Sequence, residues 1–333
     1  MTTPETNPIS IRPLTRADLP AVVAIDAALE GRPRADYIGR RLAAAPREPA
    51  LHVQLAAERG GRLVGYMLGR LLAGEFGRTE TSLRLELLGV PVECRGQGVA
   101  GALFEAVRSW AARHGALRLQ TAADWRDFDM LRWLASQGFE LAPRWVLVRD
   151  AAPAGDDEAQ VSLPAGQGPA AELDFGTAES NDFERGQRGQ PEVRPMRAED
   201  LRAIQRIDQA VTGRDRGEYL RARMDEALLD SGVRISRVAC LDGAVAGFLM
   251  ARADLGDFGR SEPVAVLDTL GVDPGQGARG VGRALLREFD ASLHALHIER
   301  GETVVAVDET ELSNFFVHAG FRPGRRLAFE RPA

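Results

Sequence analysis

The chain repeats itself at a fixed offset of 182 residues, and that constrains its fold more than any other feature. Arg12-Pro13 returns as Arg194-Pro195, Leu88-Gly89-Val90 as Leu270-Gly271-Val272, and Gly138-Phe139 as Gly320-Phe321, with no insertion or deletion between anchors. Solenoid units run to only about 20–50 residues, so a period this long marks a duplicated whole domain. Duplication also provides an internal control, because what both copies keep can be weighed against what one copy keeps.

At 333 residues the chain has room for two or three domains, and each half is long enough to bury its own core. With 44% hydrophobic and 27% charged residues it reads as a globular protein. A net charge of −6 argues against nucleic acid or an anionic membrane as the main partner. All 42 basic residues are arginine. Cys94 and Cys240 form neither a metal nor a redox spacing, which fits a reducing compartment. Residues 1–6 lack the charged and apolar regions of a signal peptide, and no apolar run reaches the roughly 18 residues of a membrane span. A cytoplasmic location is the expectation.

Residues 151–190 are rich in Ala, Gly, Pro, Asp, Glu and Gln and poor in large apolar side chains, so they are predicted to be a linker. Domain one then spans 1–150 and domain two 191–333. Both copies show the same order of elements. A short strand precedes a helix opened by Thr15, with Leu19, Val22, Val23 and Ile25 near helical spacing. A second helix follows around Tyr37–Leu42 and Tyr219–Met224. Strands are predicted at 51–58, 62–72 and 81–90, mirrored at 233–241, 244–253 and 263–272, with Gly60-Gly61 and Asp242-Gly243 as hairpin turns. A long helix at 97–113, a strand at 117–122, a helix at 128–137 and a strand at 144–149 complete the unit. The fold class is therefore mixed α/β, with helices packed on an α+β type of sheet, made twice.

The passage from the third strand of each set into the long helix carries the chemistry. Copy one reads Leu88-Gly89-Val90, then Arg95-Gly96-Gln97-Gly98-Val99-Ala100-Gly101. Copy two reads Leu270-Gly271-Val272, then Ala278-Arg279-Gly280-Val281-Gly282-Arg283. A helix start presents unpaired N–H groups and partial positive charge to a phosphate, and glycine lets the backbone come close. Gly96–Gly101 matches the G-x-G-x-x-G dinucleotide fingerprint, but copy two has Ala278 and Arg283 at the outer glycines, and antiparallel strands precede the loop.

The loop resembles motif A of the GNAT superfamily of acyl-CoA N-acyltransferases, R/Q-x-x-G-x-G/A after a strand ending in L-x-V. Copy one carries it as Arg95-x-x-Gly98-x-Ala100; copy two as Gly280-x-Gly282, with Gly277 in place of the leading basic or amide residue. The resemblance implies two tandem GNAT-like domains and acetyl-CoA, or another acyl-CoA, as co-substrate with no metal. The diphosphate is then expected on 95–101 and on 278–283. The pantetheine arm is expected along Leu88-Gly89-Val90 and Leu270-Gly271-Val272, where two strands splay and a backbone N–H can polarise the thioester carbonyl.

Transfer to an amine needs a base, and many members of the family place a Glu four residues before the valine. Here those positions are Glu86 and Asp268, and even spacing on a regular strand puts each on the same face as its valine. The usual general acid, a Tyr four residues before Gly-Phe, is replaced by Leu134 and Phe316, flanked by Trp133 and Phe315. Both copies depart from the family there. Cys94 has no aligned cysteine or base and reads as packing.

Two further segments recur. Gly31–Tyr37 pairs with Gly213–Tyr219, and Gly74–Glu80 pairs with Gly256–Glu262 at five identities in seven. Arg32, Arg34, Tyr37, Arg78 and Glu80, with Arg214, Arg216, Tyr219, Arg260 and Glu262, are candidates for shaping the acceptor or the interface, the arginines by pairing with a carboxylate or phosphate. The alternative is a helix cap and a tight hairpin inherited through duplication. Tyr37 and Tyr219 are also the only tyrosines shared by the copies. The expected activity is acetyl transfer to a primary amine of a small molecule or peptide. A mycothiol-synthase-like tandem acetyltransferase and a non-catalytic acyl-CoA-binding regulator are the alternatives. The paired halves make a monomer the expected state.

Overall fold

The computed structural model describes residues 7–72, 80–151, 190–229, 235–254, 264–277 and 279–333. Of the expected linker, only its two end residues fall within that set. The first half runs β1 (Ser10–Pro13), α1 (Leu19–Glu30), α2 (Ala35–Arg47), β2 (His52–Arg59), β3 (Arg62–Leu72), β4 (Ser82–Gly89), α3 (Val99–Arg113), β5 (Arg118–Asp124), α4 (Phe128–Ser136), β6 (Glu140–Leu141) and β7 (Arg144–Asp150). The second half repeats it as β8 (Glu192–Pro195), α5 (Leu201–Thr212), α6 (Gly217–Leu229), β9 (Arg237–Leu241), β10 (Ala244–Asp254), β11 (Val264–Val272), α7 (Val281–Ala295), β12 (Arg300–Ala306), α8 (Thr310–His318), β13 (Arg322–Pro323) and β14 (Arg326–Pro332).

Local chemistry explains the shared punctuation. The repeated Arg-Pro ends β1 and β8 with a forked ion pair: Arg12 reaches both oxygens of Asp18 at 2.8 Å, and Arg194 reaches those of Asp200 at 2.8 and 2.7 Å. The Arg12 guanidinium, followed by bonds from Thr15, holds the Asp18 carboxyl well below the usual carboxylate range. Both expected hairpin turns form with two successive residues at positive φ, Gly60-Gly61 and Asp242-Gly243.

Each sheet is covered on both faces. In the first half, Leu103, Phe104 and Val107 of α3 pack on one face with Leu83 and Leu85, while α1 and α2 cover the other with Val22, Ile38, Tyr66 and Leu87. The second half repeats this with Leu285 and Phe289 on one side and Ile204, Leu220 and Phe248 on the other.

The sheets do not follow the order of the sequence. Their strand orders are β1-β2-β3-β4-β5-β14-β6 and β13-β7-β12-β11-β10-β9-β8. The last strand of each half has crossed into the other: β14 pairs along all of β5, from Arg326 opposite Asp124 to Pro332 opposite Arg118, and β7 pairs likewise along β12. Phe329 thereby belongs to the first core and Leu147 to the second. Where the strands pass, small residues let them approach. A Cβ at Gly324 would lie 2.8 Å from Val148, and Ala142, Val146 and Ala328 form a small buried seam. Arginines stitch that seam: Arg144 donates 2.8 Å to Gln120 and pairs with Glu330, while Arg326 donates 3.2 Å to Glu302 and also reaches the carbonyl of Ala122.

A crossed response follows from this topology. Phe329→Ala removes a buried ring and is expected to cost about 3–5 kcal/mol, with faster amide hydrogen exchange in β5 of the first half. Loss of protection centred on β12 instead would contradict the exchange.

Candidate functional site

The wedge lies between β4 and β5. These strands run parallel and pair only at Ser82–Arg118, Leu83–Leu119 and Arg84–Gln120 before they part. β11 and β12 pair over two positions, Ala265–Gly301 and Val266–Glu302, and part in the same way. A threonine hydroxyl bridges the start of each gap, Thr121 to the carbonyl of Leu85 at 3.4 Å and Thr303 to that of Leu267 at 3.1 Å. Beyond it, the β4 edge through Leu88 and Gly89 has no ladder partner on the β5 side.

At the open end of each wedge a helix begins without a side-chain cap. Gly98 and Gly280 hold the N-cap positions at φ 81° and 77°. A Cβ at Gly96, Gly98, Gly101 or Gly280 would meet nothing within 4 Å, so the space over the loops is open and the first-turn N–H groups face it. That arrangement fits a phosphate. Arg95, Gly96, Gln97 and Gly98 are exposed, and Val99 is buried beneath them, with Ala100 half-buried. In the second half Arg279, Gly280 and Arg283 are exposed and Val281 and Gly282 are buried; Ala278 lies outside the described residues. A Cβ at Gly282 would sit 3.1 Å from the Phe315 ring of α8, so this helix start is tightly packed.

Glu86 and Asp268 occupy equivalent irregularities. Leu68 pairs with Leu87 but Gly69 with Leu85, so Glu86 is the extra residue of a β-bulge; Asp268 is likewise skipped between Thr269 and Leu267. The bulge reverses the phase of the strand. Val90 therefore joins Leu83 and Leu85 on the α3 face, whereas Glu86 turns toward α2, which corrects the shared face that even spacing implies. Glu86 is 1% exposed and pairs with Arg41 of α2 and with Arg84 at 3.3 Å. Asp268 is 5% exposed, and Arg252 Nη1 lies 2.9 Å from both of its oxygens. Each carboxylate thus lies close to where its strands begin to part, with a guanidinium against it.

At the positions of the missing general acid, Leu134 and Phe316 are fully buried in the two main cores, so nothing polar faces the wedge from there. The shared tyrosines keep one contact, each ring lying against a guanidinium, Arg34 over Tyr37 and Arg216 over Tyr219. Tyr37 is buried with Leu87 under α1. The Tyr219 hydroxyl lies 3.1 Å from Thr269 Oγ1, one residue from Asp268. Cys94 is half-buried against the first core.

The remaining acceptor candidates separate by burial. Arg34 is buried and grips both oxygens of Asp26, at 2.8 and 2.5 Å; Arg216 repeats this with Asp208. Tyr66 donates 3.0 Å to Asp26 in copy one only, and burial, then the Asp26 charge, pushes its ionisation up so that it remains a neutral donor. Arg32 and Arg214 are exposed, and Glu80 pairs with Arg118 at 3.2 Å. Arg78, Arg260 and Glu262 lie outside the described residues. Among the described residues no cluster of three His, Cys, Asp or Glu is placed to hold a metal. A groove of about 910 Å³ on the outer face of α5 and α6, bordered by Arg202, Arg206, Arg221 and Glu48, is lined by none of the predicted site residues.

The duplicated wedge and glycine-opened helix start define an acyltransferase-type fold, and the sequence comparison agrees. The chain belongs to the acetyltransferase (GNAT) family, whose model matches residues 19–139 and again 200–321. No curated protein sequence matches it. Among solved structures, it is similar to a tandem GNAT protein from the clavulanic acid biosynthesis pathway, at 18% identity and TM-score 0.61, covering 98% of both chains. A GCN5-related N-acetyltransferase from Sphaerobacter thermophilus is similar at 17% identity and TM-score 0.56, covering 98% of this chain and 97% of that one. A fungal glucosamine N-acetyltransferase region within a multi-domain β-N-acetylglucosaminidase gives 14% and 0.59, with 97% of this chain but 38% of that chain covered. At these identities the likeness is one of fold.

Gly89 and Gly271 are required for a reason specific to this chain. A Cβ at Gly89 would fall on the Tyr66 ring, and one at Gly271 within 2.6 Å of the Phe248 ring. Gly89→Ala is expected to destabilise by about 1–3 kcal/mol, and Tyr66→Leu in the same chain should return part of that loss. Strictly additive losses in denaturant melts would contradict the contact.

Proposed function

We propose that the protein is an acyl-CoA-dependent N-acetyltransferase that moves an acetyl group from acetyl-CoA to a primary amine of a small molecule or peptide. The observation that carries this reading is the uncapped, glycine-opened start of α3 beside a β4 edge that has lost its ladder partner. Acetyl-CoA supplies the activated thioester. Residues 95–101 hold the diphosphate through first-turn N–H groups, and 278–283 do the same in the second half. The backbone of Leu88-Gly89-Val90, or Leu270-Gly271-Val272, aims an N–H at the carbonyl oxygen where charge develops. The first half is the better-formed site, since it keeps Arg95 where the second has Gly277.

Glu86 and Asp268 take the proton of the amine, through water because both are buried beside arginines. In the second half the Tyr219 hydroxyl, poised at Thr269, donates to the departing thiolate; in the first half water does so. Arg32 and Arg214, exposed at the turn between the first two helices, are the arginines placed to meet an anionic group on the acceptor. The internal strand exchange pairs the two halves within one chain, as a dimer would pair two copies, which supports a monomer. A cytoplasmic setting, without nucleic acid or membrane, accords with the charge and composition; no helix among the described residues is long and apolar enough to cross a membrane.

A second reading has its own support. Leu134 and Phe316 remove the usual acid from both halves, and arginines engage both carboxylates, as a protein that binds acyl-CoA without turnover would allow.

Thiol release from acetyl-CoA across a panel of amines separates the two. Acceptor-dependent release is expected; saturable coenzyme binding with none would favour the binding protein. In an active preparation, Glu86→Gln should lower kcat by about 100-fold or more with little change in the acetyl-CoA KM. An unchanged kcat would leave Glu86 as an anchor of the bulge.

A further inference from the structure

Arg59 ends β2, immediately before the Gly60-Gly61 turn, and its side chain reaches across to the loop that starts α3. Its Nη1 donates 2.5 Å to Gln97 Oε1, and Gln97 Nε2 donates in turn 2.7 Å to the carbonyl of Glu93. Gln97 sits between Gly96 and Gly98, so this chain of bonds holds a guanidinium at the edge of the open loop. Its Nε is buried with no hydrogen-bond partner. Glu58, next to it in sequence, is taken by Arg12 at 2.7 Å. The side chain's one bond among the described residues is therefore to a neutral amide, which leaves its charge uncompensated.

We infer that Arg59 is a ligand for a phosphate at the nucleotide end of the coenzyme in the first half, an inference that rests on the acyl-CoA reading above. A guanidinium presents a planar fork of donors matched to phosphate oxygens, and one already tethered by a neutral side chain loses little freedom on binding. The Nε is covered by protein, so a phosphate oxygen would meet the outer Nη groups of the fork. Arg95, exposed in the same loop, provides a second cation.

The duplicate differs here. Leu241 stands 182 residues after Arg59, and Gly277 after Arg95. The second loop instead carries its cations at Arg279, which donates 2.5 Å to Gln276 Oε1, and at Arg283. Arg59 is thus a feature of the first site alone, from a hairpin that no coenzyme motif includes.

The phosphate could belong to the diphosphate or to the ribose 3′ position, and calorimetric titration with CoA and 3′-dephospho-CoA distinguishes them. Arg59→Gln in the full chain is expected to weaken one CoA-binding event by about 10- to 100-fold, the range of a lost charge-assisted bond. Weakening confined to CoA assigns the 3′-phosphate; equal weakening of both ligands assigns the diphosphate. Arg59→Lys should recover part of the affinity, and the parent should lose affinity with rising salt more steeply than Arg59→Gln. Gln97→Ala removes the tether but keeps the cation, so it should weaken binding less than Arg59→Gln. Unchanged CoA affinity in Arg59→Gln, or an equal loss in Gln97→Ala with no change in salt dependence, would overturn the assignment. Absence of CoA binding by the parent protein would instead overturn the acyl-CoA reading itself.

Discussion

Two parallel strands that part after three paired positions create the opening on which the rest of the molecule depends. Once β5 leaves β4 beyond Gln120, the backbone of β4 is exposed inside the sheet instead of at its margin. Such a gap costs ladder hydrogen bonds, and a sheet tolerates it only when both strands are secured from their other sides. β4 is secured by β3, to which it stays paired through Gly89, and by the side chains packed beneath it. β5 is secured by a strand that comes from the far end of the chain.

Strand exchange therefore has a mechanical meaning. β14 runs the whole length of β5, including the part that has left β4, and β7 does the same for β12. The wall of each wedge is built by the opposite half. Arg144 and Arg326 cross the seam in symmetry-related directions, each touching the splayed strand of the other sheet through Gln120 or Glu302. Neither half completes its own sheet, so two copies in one chain form a single structural unit, with the duplication serving the site as well as the fold.

Much of this was legible in the sequence where local rules govern. The hairpins formed where Gly60-Gly61 and Asp242-Gly243 demanded positive φ, and α3 formed at Val99–Arg113, within the predicted 97–113. The glycine-opened helix starts were visible in Gly96–Gly101 and at Gly280. Four things were hidden. The bulge at Glu86 and Asp268 escaped because counting by twos assumes an unbroken ladder, although an acidic residue repeated within an apolar strand was its trace. The exchange escaped because Arg144–Asp150 carries the same alternation in either sheet. The commitment of Arg34 and Arg216 escaped because their partners, Asp26 and Asp208, lie eight residues back on a helix whose inward face is set by packing. Arg59 left no repeat signal at all, since Leu241 takes its place.

The central claim is that a coenzyme enters the first-half wedge with its phosphates on the start of α3 and its thioester along β4. Amide hydrogen exchange of the full chain, with and without saturating CoA, tests it most directly, because both contacts are made by backbone N–H groups. The account predicts ligand-dependent protection of Gly96–Gly101 together with Leu88–Val90. Saturable binding that protects other segments and leaves those two stretches unchanged would contradict it.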